Sequence, residues 1–155
     1  MKSESLIRIP FAVSTMFFVE NTRIASAAET TFDGTWSVTL TTPENKDPTG
    51  VVARGYVFHF PAQVQNGVLR GERGTRGAPG YFEISGQIGA NGAAVLRASG
   101  ITGKEEYNLW GGDPGSPHAR SGKPYSYNVN ALFNGRHGTG KRIGGRIGNF
   151  EFSKG

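Results

Sequence analysis

Few residues of this chain stand at spacings that could do chemistry. The three histidines, His59, His118 and His137, fall in separate segments and show none of the His-x-x-x-His or His-Glu spacings that gather metal ligands on one face. Cysteine is absent, which removes thiolate nucleophiles, disulfides and every zinc site built on sulfur. Glu105 and Glu106 are neighbours, and on a strand neighbouring side chains point to opposite faces, so this pair cannot flank one substrate. No serine sits in a Gly-x-Ser-x-Gly turn. Gly135, Gly140 and Lys141 have the spacing of a phosphate-binding loop, but Arg142 stands where Ser or Thr is required and the segment beyond reads as strand. Asp33 and Asp113 occupy turn contexts, where a short carboxylate bonds nearby backbone. No catalytic residue, metal ligand or cofactor motif is assigned, and an enzyme is the least supported function class.

Binding chemistry has better material. Tyr56 and Phe58 share one parity with Phe60, Ala62 and Val64, and Tyr125 and Tyr127 share one with Val129, Ala131 and Phe133. If both faces line one interior, their rings either fill it or leave a pocket whose inward phenols orient a ligand. Tyr56, Phe58, Tyr125, Tyr127 and Phe133 are accordingly the candidate binding residues, for a small apolar or aromatic molecule. The alternative is a protein-interaction or inhibitor-like module acting through two long loops, 71–80 and 111–123, on an envelope protein. The net charge of +5 is mild; it suits an anionic surface and also ordinary solubility. The Arg-Gly steps within 71–80 resemble RNA-binding tracts, yet they are too few to make nucleic acid an expected partner.

Strands must position those rings. With 24 Gly and 8 Pro in 155 residues, a mainly helical chain is excluded, since each interior glycine weakens a helix. Period-two alternation predicts strands at Trp36–Leu40, Tyr56–Val64, Phe82–Ile88, 94–101 and Tyr125–Phe133. Asn66-Gly67 is the strongest hairpin signal and places Val64 opposite Leu69. Pro61, on the outward parity, removes a ladder donor and marks an edge or bulge. In the strand 94–101, Leu96 and Ala98 face inward, because the other parity would bury Arg97. The glycines at every third position of 71–80 read as a mobile connector rather than collagen, which needs long repeats. Lys104–Leu109 is expected to be a short polar strand, and the last strand to run from about Lys141 to Phe152. About eight strands with short connections predict an all-β, antiparallel up-and-down barrel, with a β-sandwich as the alternative.

Lys2 and Arg8 flank the start of an apolar run, 9–19, followed by Ala25-Ser26-Ala27, the order of a secretory signal peptide. Residues 1–27 are therefore read as a signal peptide and 28–155 as one barrel domain, exported to the periplasm or secreted. The run is too short for a membrane-spanning helix, and no transmembrane span is expected in the mature protein.

Gly34-Thr35-Trp36 at the start of the first strand, with Arg142 or Arg146 near the last, resembles the calycin superfamily of lipocalins, avidins and related small barrels. That resemblance implies a Trp packed at the closed end beneath an Arg, here Trp36 beneath Arg146, with Arg142 as the alternative. The chain is also similar to small exported bacterial proteins of unknown function that open on a Gly-Thr-Trp strand. With two tryptophans, Trp36 and Trp110, the avidin binding-site set is missing, so biotin binding does not carry over.

Overall fold

The computed structural model describes residues 31–48, 50–107 and 120–155. The expected signal peptide 1–27, Trp110, Asp113, His118 and most of the loop 111–123 lie outside the described residues.

Among the described residues ten strands follow one another: β1 Gly34–Thr42, β2 Asn45–Lys46, β3 Val52–Ala53, β4 Tyr56–Gln65, β5 Val68–Arg73, β6 Phe82–Gln87, β7 Ala93–Ile101, β8 Pro124–Asn134, β9 His137–Arg142 and β10 Asn149–Lys154. Eight of them close an antiparallel barrel in the order β1-β10-β9-β8-β7-β6-β5-β4, while β2 and β3 form a separate small hairpin. Closure pairs the two ends of the meander, from Trp36 with Lys154 to Thr41 with Asn149. No strand of such a barrel is left with a bare edge, which suits a cysteine-free chain rich in glycine.

The alternating positions bury as the sequence requires. Trp36, Val38 and Leu40 of β1, Phe60, Ala62 and Val64 of β4, Leu96 and Ala98 of β7, and Val129, Ala131 and Phe133 of β8 all reach the core. Inward parity for Leu96 leaves Arg97 outside, where it donates to Ser126 Oγ at 2.7 Å. The hairpin turns on Asn66-Gly67, with φ of 52° and 73°, and Val64 stands opposite Leu69. Asp33 bonds this turn rather than its own loop: its carboxylate accepts from Asn66 N and Gly67 N, each at 2.9 Å. Pro61 stands where the β4–β5 ladder, which runs Ala62–Gln65, comes to an end. From Pro61 toward Tyr56 the two strands part, as expected of a residue with no N–H to give.

Three segments differ from expectation, each where alternation is missing. In the expected strand Lys104–Leu109, the described residues Glu105–Tyr107 form a 3₁₀ turn instead, because charged neighbours offer no apolar face to hold a strand. The final segment is two strands rather than one. β9 was hidden because its inward positions are Gly138 and Gly140, which carry no side chain to read, and Arg146 lies on the β9–β10 loop instead of on a strand. One strand too many and one too few leave the count of eight unchanged. Residues 71–73 extend β5, and 74–80 is a run of tight turns rather than a loose connector. Gly74, Gly77 and Gly80 all have positive φ, and Gly80 N donates to Ile101 O at 2.8 Å.

The barrel repeats its own register. Tyr56 pairs with Thr42 as Tyr125 pairs with Gly100, and Ala62 pairs with Gly71 as Ala131 pairs with Gly140. The ring then closes consistently: Gly71 pairs with Ile84 and Ile84 with Ala98, as Gly140 pairs with Phe150 and Phe150 with Leu40. Strands β1, β4, β5 and β6 are thus equivalent to β7, β8, β9 and β10 under a pseudo-two-fold relation.

Candidate functional site

The two ends of the barrel differ in chemistry. At the end where β1 begins, Trp36 donates from Nε1 to Phe32 O at 2.8 Å and meets Phe133 edge-on at 5.4 Å. Phe133 in turn lies 6.0 Å from Phe32 and 4.8 Å from Phe152. Ring contacts continue upward from Phe152 through Phe150, Phe82 and Phe58, so the lower barrel is filled with side chains. Phe133 therefore belongs to the closed end and not with the other candidate binding residues.

Arg146 is at the wrong end to cover Trp36. β1 and β10 run antiparallel, so Trp36 sits beside Lys154 while Asn149 pairs with Thr41 at the far end of β1, and Arg146 comes before it on the β9–β10 loop. The indole N–H goes to Phe32 O and the indole ring meets Phe133 instead, while Arg142 lies at the mouth end of β9. The closed end carries Lys154 and Arg136, and Arg136 Nη2 donates to Lys154 O at 3.1 Å and Gly155 O at 2.7 Å. The expected Trp–Arg contact fails because the arginines were assigned to a single long last strand that does not exist.

At the mouth, four of the expected residues do come together. Tyr56 and Phe58 project inward from β4 with ring centroids 4.5 Å apart, and Tyr125 and Tyr127 project inward from β8, stacked at 6.2 Å. In the order of the barrel, β4 and β8 stand on opposite sides. Tyr107, from the 3₁₀ turn, meets Tyr56 edge-on at 6.2 Å. Burial pushes the Tyr125 and Tyr127 phenols above the ordinary tyrosine range, and both also feel Tyr56, which brings the three hydroxyls into one electrostatic neighbourhood.

Three arginines join these rings, none of them among the binding residues expected from the sequence. Arg73, inward from β5, lies 3.8 Å above the Phe58 ring, and Arg142, inward from β9, lies 4.1 Å above that of Tyr127. Arg146 stands 5.5 Å from the Tyr56 ring, but its N–H groups are occupied. They donate to the carbonyls of Pro43, Ala53, Arg54 and Tyr107, which ties the β1–β2 and β3–β4 connections and the 3₁₀ turn to the β9–β10 loop. Burial lowers the Arg146 pKa; Tyr56 works against that shift and Arg142 adds to it. The signal that could have found Arg73 is parity: it continues the inward set Leu69, Gly71, where a residue read as loop has no face.

A cavity of about 560 Å³ opens here, lined among others by Tyr56, Phe58, Arg73, Lys104, Tyr107 and Tyr125. Its walls exist because β4 and β5 part above Pro61 and because Gly100 leaves space for the Tyr125 ring, whose hydroxyl lies 2.6 Å from where a Cβ at Gly100 would be. Hollows of about 580 Å³ over β4–β6 and about 650 Å³ over β8–β10 lie on the outer wall, lined by outward residues such as Gln63 and Arg70 or Leu132 and Lys141.

The other chemical candidates are dispersed. His59 faces outward within 3.1 Å of Thr39 Oγ1, and Glu106 approaches Arg54 at 3.7 Å. Among the described residues, no three His, Cys, Asp or Glu side chains gather as a metal site, and no helix is long and apolar enough to cross a membrane. Comparison with protein-family models, with curated proteins and with solved structures finds no match to this chain.

Proposed function

We propose that this protein is a non-enzymatic binding barrel that holds one small, flat, largely apolar molecule in its mouth, among Tyr56, Phe58, Tyr107 and Tyr125. The observation carrying this reading is the cavity of about 560 Å³ above a solidly packed lower barrel. Pockets that enclose small ligands span roughly 300–1,000 Å³ and combine apolar walls with a few polar groups. Rings at opposite sides of the mouth offer stacking surface, and their hydroxyls offer hydrogen bonds. Export to the periplasm or beyond belongs to the same proposal and rests on the N-terminal sequence alone. The calycin likeness belongs here too, supported by the Gly34-Thr35-Trp36 opening and the closed meander.

Titration with the neutral fluorophore N-phenyl-1-naphthylamine tests the reading. The expected result is saturable binding of one molecule per chain, weakened about fivefold or more in Tyr125→Leu, with unchanged circular dichroism. Fluorescence that rises without saturation, or is indifferent to Tyr125, overturns it.

A further inference from the structure

Two arginines of the mouth, Arg73 and Arg142, pair with no described carboxylate. Arg73 and Arg142 both point inward, and their strands, β5 and β9, stand on opposite sides of the barrel. Among the described residues, the ion pairs engage Arg54 and Arg76 and leave Arg73 and Arg142 without one. The acidic neighbour of Arg73, Glu72, faces outward and is held by Arg76 at 3.0 Å and by the Tyr81 hydroxyl at 2.9 Å. Arg73 spends one donor on Gly80 O, at a long 3.3 Å. Arg142 Nε is buried with no hydrogen-bond acceptor. Arg146 differs, because backbone carbonyls already surround its guanidinium.

Placing two guanidinium groups in a half-buried mouth without a counter-charge is unfavourable, since desolvation of a cation is repaid only by an anion or by hydrogen bonds. A ring beneath each one compensates in part. Tyr125, which lines the cavity, feels the charge of both arginines, so a ligand group beside it lies in the field of both. Resting on the reading that the mouth binds a small molecule, we propose that the ligand is an organic anion with a flat apolar body. Its charged group, a carboxylate or sulfonate, meets Arg73 in the field of Arg142, while its body lies against Tyr56, Phe58 and Tyr125. Charge-assisted bonds to guanidinium are the strong ones, and its fork of donors can meet two oxygens of either group.

A pair of probes separates this from the parent reading: 8-anilinonaphthalene-1-sulfonate and its neutral counterpart N-phenyl-1-naphthylamine, which share one aromatic body. The expected result is at least tenfold tighter binding of the sulfonate. Arg73→Met removes most of that preference and Arg142→Met a smaller part, while Arg70→Met, which deletes the same charge from the outer face of β5, retains it. Equal affinity for the two probes overturns the anion assignment and leaves the mouth as a binding site. Saturable binding of neither probe overturns both readings, and a preference that survives in the Arg73→Met, Arg142→Met double variant overturns the role of these two arginines.

Discussion

Arg73 and Arg142 occupy one position twice. Each stands seventeen residues after the tyrosine that opens its hairpin, Tyr56 or Tyr125; each ends the second strand; and each lies over a ring of the strand before, Phe58 or Tyr127. Across the 18 positions of the two hairpins the identical residues are the tyrosines, Ala62 with Ala131, Gly71 with Gly140, and the arginines. These are inward positions throughout, so the identity the two hairpins share lies where side chains meet, although inward pairs such as Leu69 and Gly138 differ. Symmetry also explains why the mouth is cationic on both sides. The position matching Arg146 in the loop after β5 is Gly77, with the nearby Arg76 engaged by Glu72 and Glu83, and the task of Arg146 is correspondingly different.

Arg142 should be dispensable for stability. Its Nε is buried without an acceptor, so replacing the guanidinium by a thioether of similar reach removes an unmet polar group and keeps the contact with Tyr127. Arg142→Met is expected to leave the urea midpoint unchanged or to raise stability by up to about 1 kcal/mol. A loss of more than that would mean the guanidinium is satisfied within the folded chain.

Arg146 should behave in the opposite way. Four carbonyls from three segments converge on it, and deletion of the side chain leaves them without their donor. Arg146→Ala is expected to lower stability by about 2–4 kcal/mol, in line with several charge-assisted bonds lost together. Limited proteolysis of the variant should cut first within 43–55, the connection it pins. Stability within about 0.5 kcal/mol of the parent would show that these bonds form no anchor.

How much of this was legible follows from where side chains alternate. β1, β4, β7 and β8 announce themselves, because Trp36-x-Val38-x-Leu40 and Tyr125-x-Tyr127-x-Val129 leave one face apolar. β9 does not, since Gly138 makes room for the Phe133 ring and Gly140 for Val129, and neither carries a signal of its own. Losing β9 merged it with β10, and that error moved Arg146 onto a strand and beside Trp36. The aromatic half of the mouth was visible in Tyr56, Phe58, Tyr125 and Tyr127. Its cationic half is not, because Arg73 stands in a glycine-rich stretch and Arg142 follows the side-chain-free inward positions Gly138 and Gly140, so neither belongs to a visible alternation. Phe133 shares the parity of the tyrosines, but parity fixes a face and not a height along the barrel.

The turn at Asn66-Gly67 offers a test of the hairpin and of its anchor. Both residues have positive φ, and Gly67 adopts it without a Cβ penalty. Gly67→Val is expected to destabilise the domain by about 1–2 kcal/mol, and Asp33→Ala, which frees the two amides its carboxylate binds, by about 1–2 kcal/mol as well. Because both substitutions act on one turn, the double variant should cost less than their sum in a double-mutant cycle. Strict additivity would separate Asp33 from the turn.

Acid sensitivity should trace in part to Glu83. Its carboxylate accepts from the Tyr81 hydroxyl at 2.8 Å and from Ser99 Oγ at 3.0 Å, which holds its pKa below the ordinary glutamate range, with Arg76 adding to the effect. The folded state therefore binds a proton less readily than the unfolded chain. The resulting stabilisation is complete above the unfolded glutamate pKa of about 4.3 and is lost as pH falls through the lower folded value. Thermal midpoints of the parent and Glu83→Gln should differ near pH 7 and converge at low pH. A constant difference across the range would assign the effect to packing rather than charge.

The glycines of β9 should be intolerant of even one added carbon. A Cβ at Gly138 would sit 2.7 Å from Phe133 Cδ1 and 2.9 Å from Cε1, and that ring cannot retreat, because Trp36 and Phe152 are packed against it. Gly138→Ala is expected to cost about 1–3 kcal/mol, the usual range for overpacking a filled core. Phe133→Leu alone should cost a similar amount by leaving a void beside Trp36. Combined, the smaller side chain vacates the space that the alanine needs, so the double variant should recover about 1 kcal/mol or more relative to the sum of the single changes. A cycle that closes without coupling would mean that Gly138 is present for the backbone of β9 and not for the ring beside it.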